Sequence, residues 1–219
     1  MNIALTSTLD TSFASSIVRW MVAKKFQIFT GPRRYNIVYV EGCNADGTLN
    51  ADRPNEFNDR RLVIEIVDKP KILGNWEATT EPGDYYTQHP MNSKGAARIA
   101  FGQYEGWSVG FHGKRDAHEA LVQVLPVVVW RDYNKDYRRT GDFADRGLFG
   151  INQHWGYDLP VTKIFNASAG CLVGRTRAGH KEFMKLLKQD ARYAENKNYK
   201  FWTTIVPGDE MLKQYPIKR

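Results

Sequence analysis

Leu148-Phe149-Gly150-Ile151-Asn152-Gln153-His154-Trp155 reads as a strand that ends on a histidine, and Asn166-Ala167-Ser168-Ala169-Gly170-Cys171-Leu172-Val173-Gly174 follows after a short loop. A cysteine nucleophile needs a base that can hold it as thiolate, and a histidine of near-neutral pKa suits that task. It also needs backbone N–H donors where the oxyanion forms. Ser168-Ala169-Gly170 puts small residues directly before the thiol, so a substrate carbonyl can approach the backbone closely. His154 comes first, and two neighbouring strands joined by a loop would bring it to Cys171. Papain-type and related cysteine peptidases have the reverse order, cysteine before histidine.

Outward from this stretch the chain is rich in strands. Tyr35 to Val40 and Leu62 to Val67 are β-branched and aromatic runs. Further strands are expected at Ile72–Thr80, Ala97–Gly102, Trp107–Phe111, Leu121–Trp130 (broken at Pro126) and Tyr199–Val206. Residues 43–60 and 81–96 read as loops, and Asp132–Gly147 as a long exposed turn. Helices are expected at Thr11–Phe26, with Phe13, Ile17, Trp20, Met21 and Lys24 at helical spacing, at Arg177–Leu187, and at Asp209–Gln214. No linker or repeat divides the chain. The reading is one compact, β-rich α+β domain, with residues 1–34 as an N-terminal helical appendage and 35–219 as the main domain.

Of the 219 residues, 42% are hydrophobic and 25% charged, which excludes a disordered or low-complexity chain. The net charge of +7 points to an anionic partner: nucleic acid, a membrane surface or an acidic polymer such as a bacterial wall. Two cysteines, Cys43 and Cys171, cannot make a disulfide framework, and no CxxC pair suggests zinc. No apolar run spans a membrane, and the start lacks a basic n-region, so a cytoplasmic site of synthesis is expected. No Gly-rich phosphate loop is present, and no cofactor or metal is expected.

The order His154-Trp155-Gly156, then Ser168-Ala169-Gly170-Cys171, resembles the catalytic stretch of L,D-transpeptidases, cell-wall cysteine enzymes with a β-rich catalytic domain. Residues 36–190 are also similar to a group of endolysin-like phage and bacterial proteins. The shared runs are Ala120-Leu121-Val122-Gln123, Arg131-Asp132-Tyr133-Asn134-Lys135-Asp136, Gly147 to His154 and Ser168 to Cys171, with Trp76, Thr79 to Gly83 and Gly102-Gln103. The resemblance implies an L,D-transpeptidase-like β-sandwich core. It assigns Cys171 as nucleophile, His154 as base and the Trp155 carbonyl as the group orienting the imidazole. The Gly170 and Cys171 amides would line the oxyanion site, and Ser168 would hold the turn. Asn152, His112 and Gln103 are candidate substrate-binding residues.

Two positions depart from the family, which has histidine where Ala169 stands and arginine where Val173 stands. Hydrolysis of a stem-peptide bond through a Cys171 thioester is therefore expected over cross-linking. The partner is then peptidoglycan, reached by a phage-type lysin or wall-degrading effector after release or delivery. No nucleic acid or membrane partner is expected. The alternatives are a cross-linking transpeptidase, a non-catalytic wall-binding module, and a component of a phage or injection particle.

Other groups read more plainly. Cys43, with no histidine nearby in sequence, is incidental. His112 and His118 are read as exposed or groove-lining, since their spacing fits no zinc pattern. Asp132 to Asp136 begins like a calcium loop but lacks Gly at Tyr137 and Glu at Phe143, so a turn is favoured. Arg138, Arg139, Lys181, Lys185 and Lys188 read as a solvated basic face.

Overall fold

The β-branched and aromatic runs form strands in the computed structural model, which describes residues 9–139 and 141–218. Residues 1–8 of the expected 1–34 appendage lie outside the described residues. The strands are β1 (Asn36–Glu41), β2 (Asp59–Ile66), β3 (Pro70–Thr79), β4 (Ala96–Ile99), β5 (Gly102–His112), β6 (His118–Gln123), β7 (Val127–Asp132), β8 (Phe143–Gly147), β9 (Gln153–Trp155), β10 (Leu172–Gly174) and β11 (Phe201–Pro207). The helices are α1 (Phe13–Ala23), α2 (Asp84–Gln88), α3 (Arg177–Leu187), α4 (Ala191–Glu195) and α5 (Gly208–Gln214). The architecture is mixed α and β and rich in strand.

Eight strands close on one another in the order β1-β11-β5-β6-β9-β10-β3-β2, and β4-β7-β8 form a separate antiparallel sheet. This differs from the expected sandwich. The closure rests on the short strands β9 and β10, which pair in parallel with each other, antiparallel with β6 at Leu121↔Gln153, and antiparallel with β3 at Val173↔Thr79 and Gly174↔Ala78.

Strand side chains alternate between faces. Inside the closed sheet lie Tyr39, Val63, Trp107, Leu121, Leu172 and Ile205, with Phe183, Met184 and Leu187 of α3 in the same cluster. The alternate positions Val38, Val40, Leu62 and Ile64 face outward and pack Phe13, Ile17, Trp20 and Met21 of α1 and Met211 of α5. Ser12 caps α1 by accepting the Ser15 amide at 3.3 Å. Burying Phe13, Ile17, Val18, Trp20 and Met21 at about 1.5–3 kcal/mol each gives α1 a stake on the order of 10 kcal/mol in the core. The helix of the N-terminal segment thus packs on the core.

Three local differences from the sequence reading have clear causes. Leu148 to Asn152 do not pair as strand: Gln123 Oε1 accepts the amides of Phe149 (3.0 Å) and Ile151 (2.9 Å), and Gly150 between them has φ +73°. The loop at 81–96 contains α2, whose five residues are too few to show a period. The turn at 132–147 contains β8, paired with β7. Asp132 closes that turn by accepting the amides of Asp136 (3.0 Å) and Tyr137 (3.1 Å). Arg139 leaves the expected solvated face: it forks onto Glu41 with two bonds of 2.6 Å and lies 4.4 Å over the Phe101 ring.

Candidate active site

Parallel pairing sets β10 against β9 with Leu172 opposite Gln153 and Val173 opposite His154. Gln153 and Leu172 point into the closed sheet, so His154 and Cys171, one residue on or back, share its outer face as diagonal neighbours. Both line a cavity of about 580 Å³, together with His112, Gly150, Ala169 and Arg131. Ala96 and Ala97 of β4 and Tyr86 of α2 complete much of its wall. The second sheet thus lies over the strands that carry the pair.

The turn before Cys171 is built by two contacts. Ser168 Oγ donates to the Cys171 carbonyl (2.9 Å) and accepts the Gly170 amide (3.1 Å). Gly170 sits at φ +123°, and a Cβ there would lie 2.4 Å from the Ala97 carbonyl oxygen. Only glycine fits that approach. The Gly170 amide, assigned by the resemblance to the oxyanion, is thereby engaged by Ser168.

His154 is buried, and its Nδ1 lies 2.8 Å from the Trp155 carbonyl oxygen, the contact that the resemblance assigns. A carbonyl only accepts, so Nδ1 carries the proton and neutral His154 keeps the Nε2 lone pair. The His112 ring stacks on it at 3.9 Å with the planes 7° apart. Asn152 holds His112: its Oδ1 accepts the Gln123 amide (2.9 Å), which fixes the amide orientation, and its Nδ2 donates to His112 Nδ1 (3.0 Å). Burial, then the charge His112 would carry, push the His154 pKa well below its ordinary value.

Cys171 donates from Sγ to the Gly150 carbonyl at 3.4 Å. Burial pushes its thiol up to about 11, against a smaller opposing effect of the Asn152 backbone. Burial thus disfavours both the thiolate and the imidazolium, which opposes the ion pair that the residue types alone suggest.

Gln103 lies elsewhere. Its side chain accepts the Gln27 amide (2.7 Å), donates to the Gln27 carbonyl (2.8 Å) and donates to Thr204 Oγ1 (3.1 Å), tying the segment after α1 to β5 and β11. Of the two expected settings, exposed or groove-lining, His118 is not exposed: it is buried in the wall of a cavity and stacks on Trp155 at 3.7 Å. Cys43 is buried against the α1 cluster, and burial raises its thiol to about 12. Among the described residues, no three of His, Cys, Asp and Glu are grouped so as to hold a metal ion. No helix among the described residues is long and apolar enough to cross a membrane.

Arg61 is the residue that the sequence reading missed. Its position was placed at a loop-to-strand boundary, but β2 starts at Asp59 and turns Arg61 into the closed sheet, where it is 0% exposed. Its Nη2 donates to the carbonyls of His154 (2.9 Å) and Leu172 (3.2 Å), its Nε to Tyr39 Oη (2.6 Å), and its Nη1 to His180 Nδ1 (3.0 Å). The guanidinium ties β9 to β10 directly beneath the pair. Gly174 leaves it room, since a Cβ there would stand 2.5 Å from Nη1. No single-sequence signal marks an inward arginine.

No protein-family model, curated protein or solved structure matches the chain.

Proposed function

We propose that the chain is a peptidoglycan-active cysteine enzyme with an L,D-transpeptidase-like catalytic domain. The observation that carries this reading is the placement of Cys171 and His154 on one outer sheet face, in one cavity, with the imidazole tautomer set by the Trp155 carbonyl. With both charged forms disfavoured by burial, His154 acts as a general base. Its Nε2 takes the Sγ proton as sulfur bonds to a stem-peptide carbonyl carbon. The carbonyl oxygen then carries negative charge, and with the Gly170 amide engaged by Ser168, the role of donor to it falls to the Cys171 amide. The C–N bond breaks and the leaving amine takes the proton from His154, giving a thioester. Water, deprotonated by His154, attacks that carbon, the C–S bond breaks, and the thiol is restored.

Val173 leaves the family's arginine position uncharged, and Arg131, which lines the same cavity from β7, is already paired with Asp145 at 3.1 Å. The basic net charge suits an anionic wall peptide, and the missing arginine favours hydrolysis over cross-linking. The wall itself is the expected partner, reached by a lysin or effector after release or delivery.

The raised Cys171 thiol favours a second reading, a wall-binding module without catalysis. Both are tested by incubating purified walls with wild type, Cys171→Ala and His154→Ala and analysing soluble products by mass spectrometry. New peptide termini with wild type alone support the enzyme. Equal release by wild type and Cys171→Ala refutes the mechanism. Sedimentation with walls without any release supports the module.

A further inference from the structure

A second cavity, about 330 Å³, lies where α3 passes the β5–β6 hairpin, and its lining includes His118, Trp155, His180, Lys181, Lys185 and Lys188. Two buried side chains in that lining keep a polar atom with no hydrogen-bond partner: His118 Nε2 and Trp155 Nε1. The residues are 5% and 7% exposed. Buried polar atoms are nearly always paired, and one left alone costs about 1–3 kcal/mol. The other nitrogen of His118 is committed, since Nδ1 lies 2.7 Å from the Asp116 carbonyl oxygen and must donate to it. Nε2 therefore becomes a second donor when the ring is protonated, and Trp155 Nε1–H is a donor always.

The charge at this cavity is net positive, three lysines against one carboxylate, Glu119, which also lines it. Lys181 and Lys185 of α3 and its C-cap Lys188 fall on one face. Lys188 is neutralised by Glu119, at 2.8 and 3.0 Å from its two carboxylate oxygens. Lys181 and Lys185 are exposed and have no carboxylate within ion-pair distance among the described residues. Lys181 stands 6.0 Å over the Trp155 ring.

We propose that this cavity binds a compact oxyanion, a carboxylate or phosphate group, attracted by Lys181 and Lys185 and held by donors from His118 and Trp155. The site does not depend on the function proposed for Cys171. It adjoins that cavity, however: the His118 ring centroid is 6.0 Å from that of His154 and 5.6 Å from that of His112. The charged and titratable groups around His118 are Asp116, Arg177, His112, His154, Tyr157 and His180. Arg177 is itself paired with Asp116 and Asp158. Burial disfavours the imidazolium in the empty site, so anion binding takes up a proton and weakens as pH rises.

The test is long-range ¹H–¹⁵N NMR of the imidazoles in the full chain at pH 6, titrated with sodium phosphate, sodium acetate and sodium chloride at constant ionic strength. A saturable shift of His118 Nε2 toward its protonated position with phosphate or acetate, absent with chloride, is expected. The dissociation constant should weaken about tenfold in the surface double variant Lys181→Gln/Lys185→Gln, whose fold is checked by circular dichroism. Saturation by acetate alone assigns a carboxylate ligand, and saturation by phosphate a phosphate group. A shift that never saturates, or equals that in chloride, overturns the site. So does saturable binding that the double variant leaves unchanged.

Discussion

Replacing Ser168 by alanine removes one oxygen and almost no volume, so it isolates the two hydrogen bonds that shape the turn before Cys171. The hydroxyl is fully buried, donates to the Cys171 carbonyl at 2.9 Å and accepts the Gly170 amide at 3.1 Å. Ser168 is 0% exposed, so bulk water does not reach the place its hydroxyl leaves. Each group left unsatisfied costs about 1–3 kcal/mol, so the pair should cost roughly 2–4 kcal/mol, allowing for partial relaxation. For a chain of this size about 1 kcal/mol moves Tm by about 2–4 °C, so a fall on the order of 10 °C is expected. Thermal unfolding followed by circular dichroism measures it, with Ser168→Gly as a partner that lacks the same oxygen. A fall of less than about 2 °C would show that the turn is set by Gly170 and its surroundings alone. In folded Ser168→Ala, iodoacetamide labelling of Cys171 should rise several-fold at pH 8, because the loosened turn exposes the thiol. Unchanged labelling beside a large loss of Tm would separate stability from site geometry and sink the second half of the reasoning.

Three more outcomes follow from the same groups. Cys171, with its thiol pushed up to about 11 by burial, should alkylate slowly at pH 7 and ever faster through pH 9–10; a plateau below about pH 8 that His154→Ala abolishes would instead mean a resting thiolate–imidazolium pair. Arg61→Met leaves four acceptors without their buried donor, so a loss on the order of 3–5 kcal/mol is expected, with faster hydrogen exchange at Leu172, whose amide donates to the Asn152 carbonyl at 2.9 Å; protection there equal to wild type would refute the tie between β9 and β10. Burial holds the His180 pKa at about 3, below the value of 6.5 expected of the unfolded chain, so its contribution is full above pH 6.5 and is lost as pH falls toward 3, by up to about 5 kcal/mol. Glu81, raised to about 7 by burial, acts oppositely: its contribution is full below about 4.5 and is lost as pH rises through 7. Urea unfolding of wild type and His180→Gln from pH 7 to 4 separates the two, and parallel stability curves would exclude the histidine.

The parts of the fold that were legible are those in which local pattern and burial agree. The helix at Arg177–Leu187 has the bounds read from spacing, with Thr176 as its cap, because Phe183, Met184 and Leu187 face one core. The strands β1 and β2 were visible as runs buried on both faces, inward against the barrel core and outward against α1. Of the closing strands, β9 is the end of the expected Leu148–Trp155 strand, whereas β10 was not visible, since three residues leave no periodicity to read. Leu148–Trp155 looked like one strand because its apolar content is that of one. Gln123, some twenty-five residues upstream, takes the amides that a neighbouring strand would have taken.

The same division runs through the candidate site. Which residue types could react was readable from a histidine, a serine, a glycine and a cysteine in order. Their protonation states were not, because those depend on groups far away in the chain. Ala97 presses the Gly170 turn, Asn152 and Gln123 hold His112 against His154, and the cavity wall removes water from the thiol. Arg61 joins the two strands from behind with a charge that has no carboxylate partner among its described contacts. A buried guanidinium is costly to keep, but a methionine there would avoid that cost only by leaving the four acceptors unpaired. One nitrogen, Nη2, bridges the His154 and Leu172 carbonyls, and that bridge is held in place because Nε and Nη1 of the same planar fork are bonded to Tyr39 on β1 and His180 on α3. Lysine at position 61 would keep the charge and lose that fork, which makes Arg61→Lys the sharper variant. If Arg61→Lys keeps wild-type labelling kinetics at Cys171, charge alone suffices and the geometric account fails.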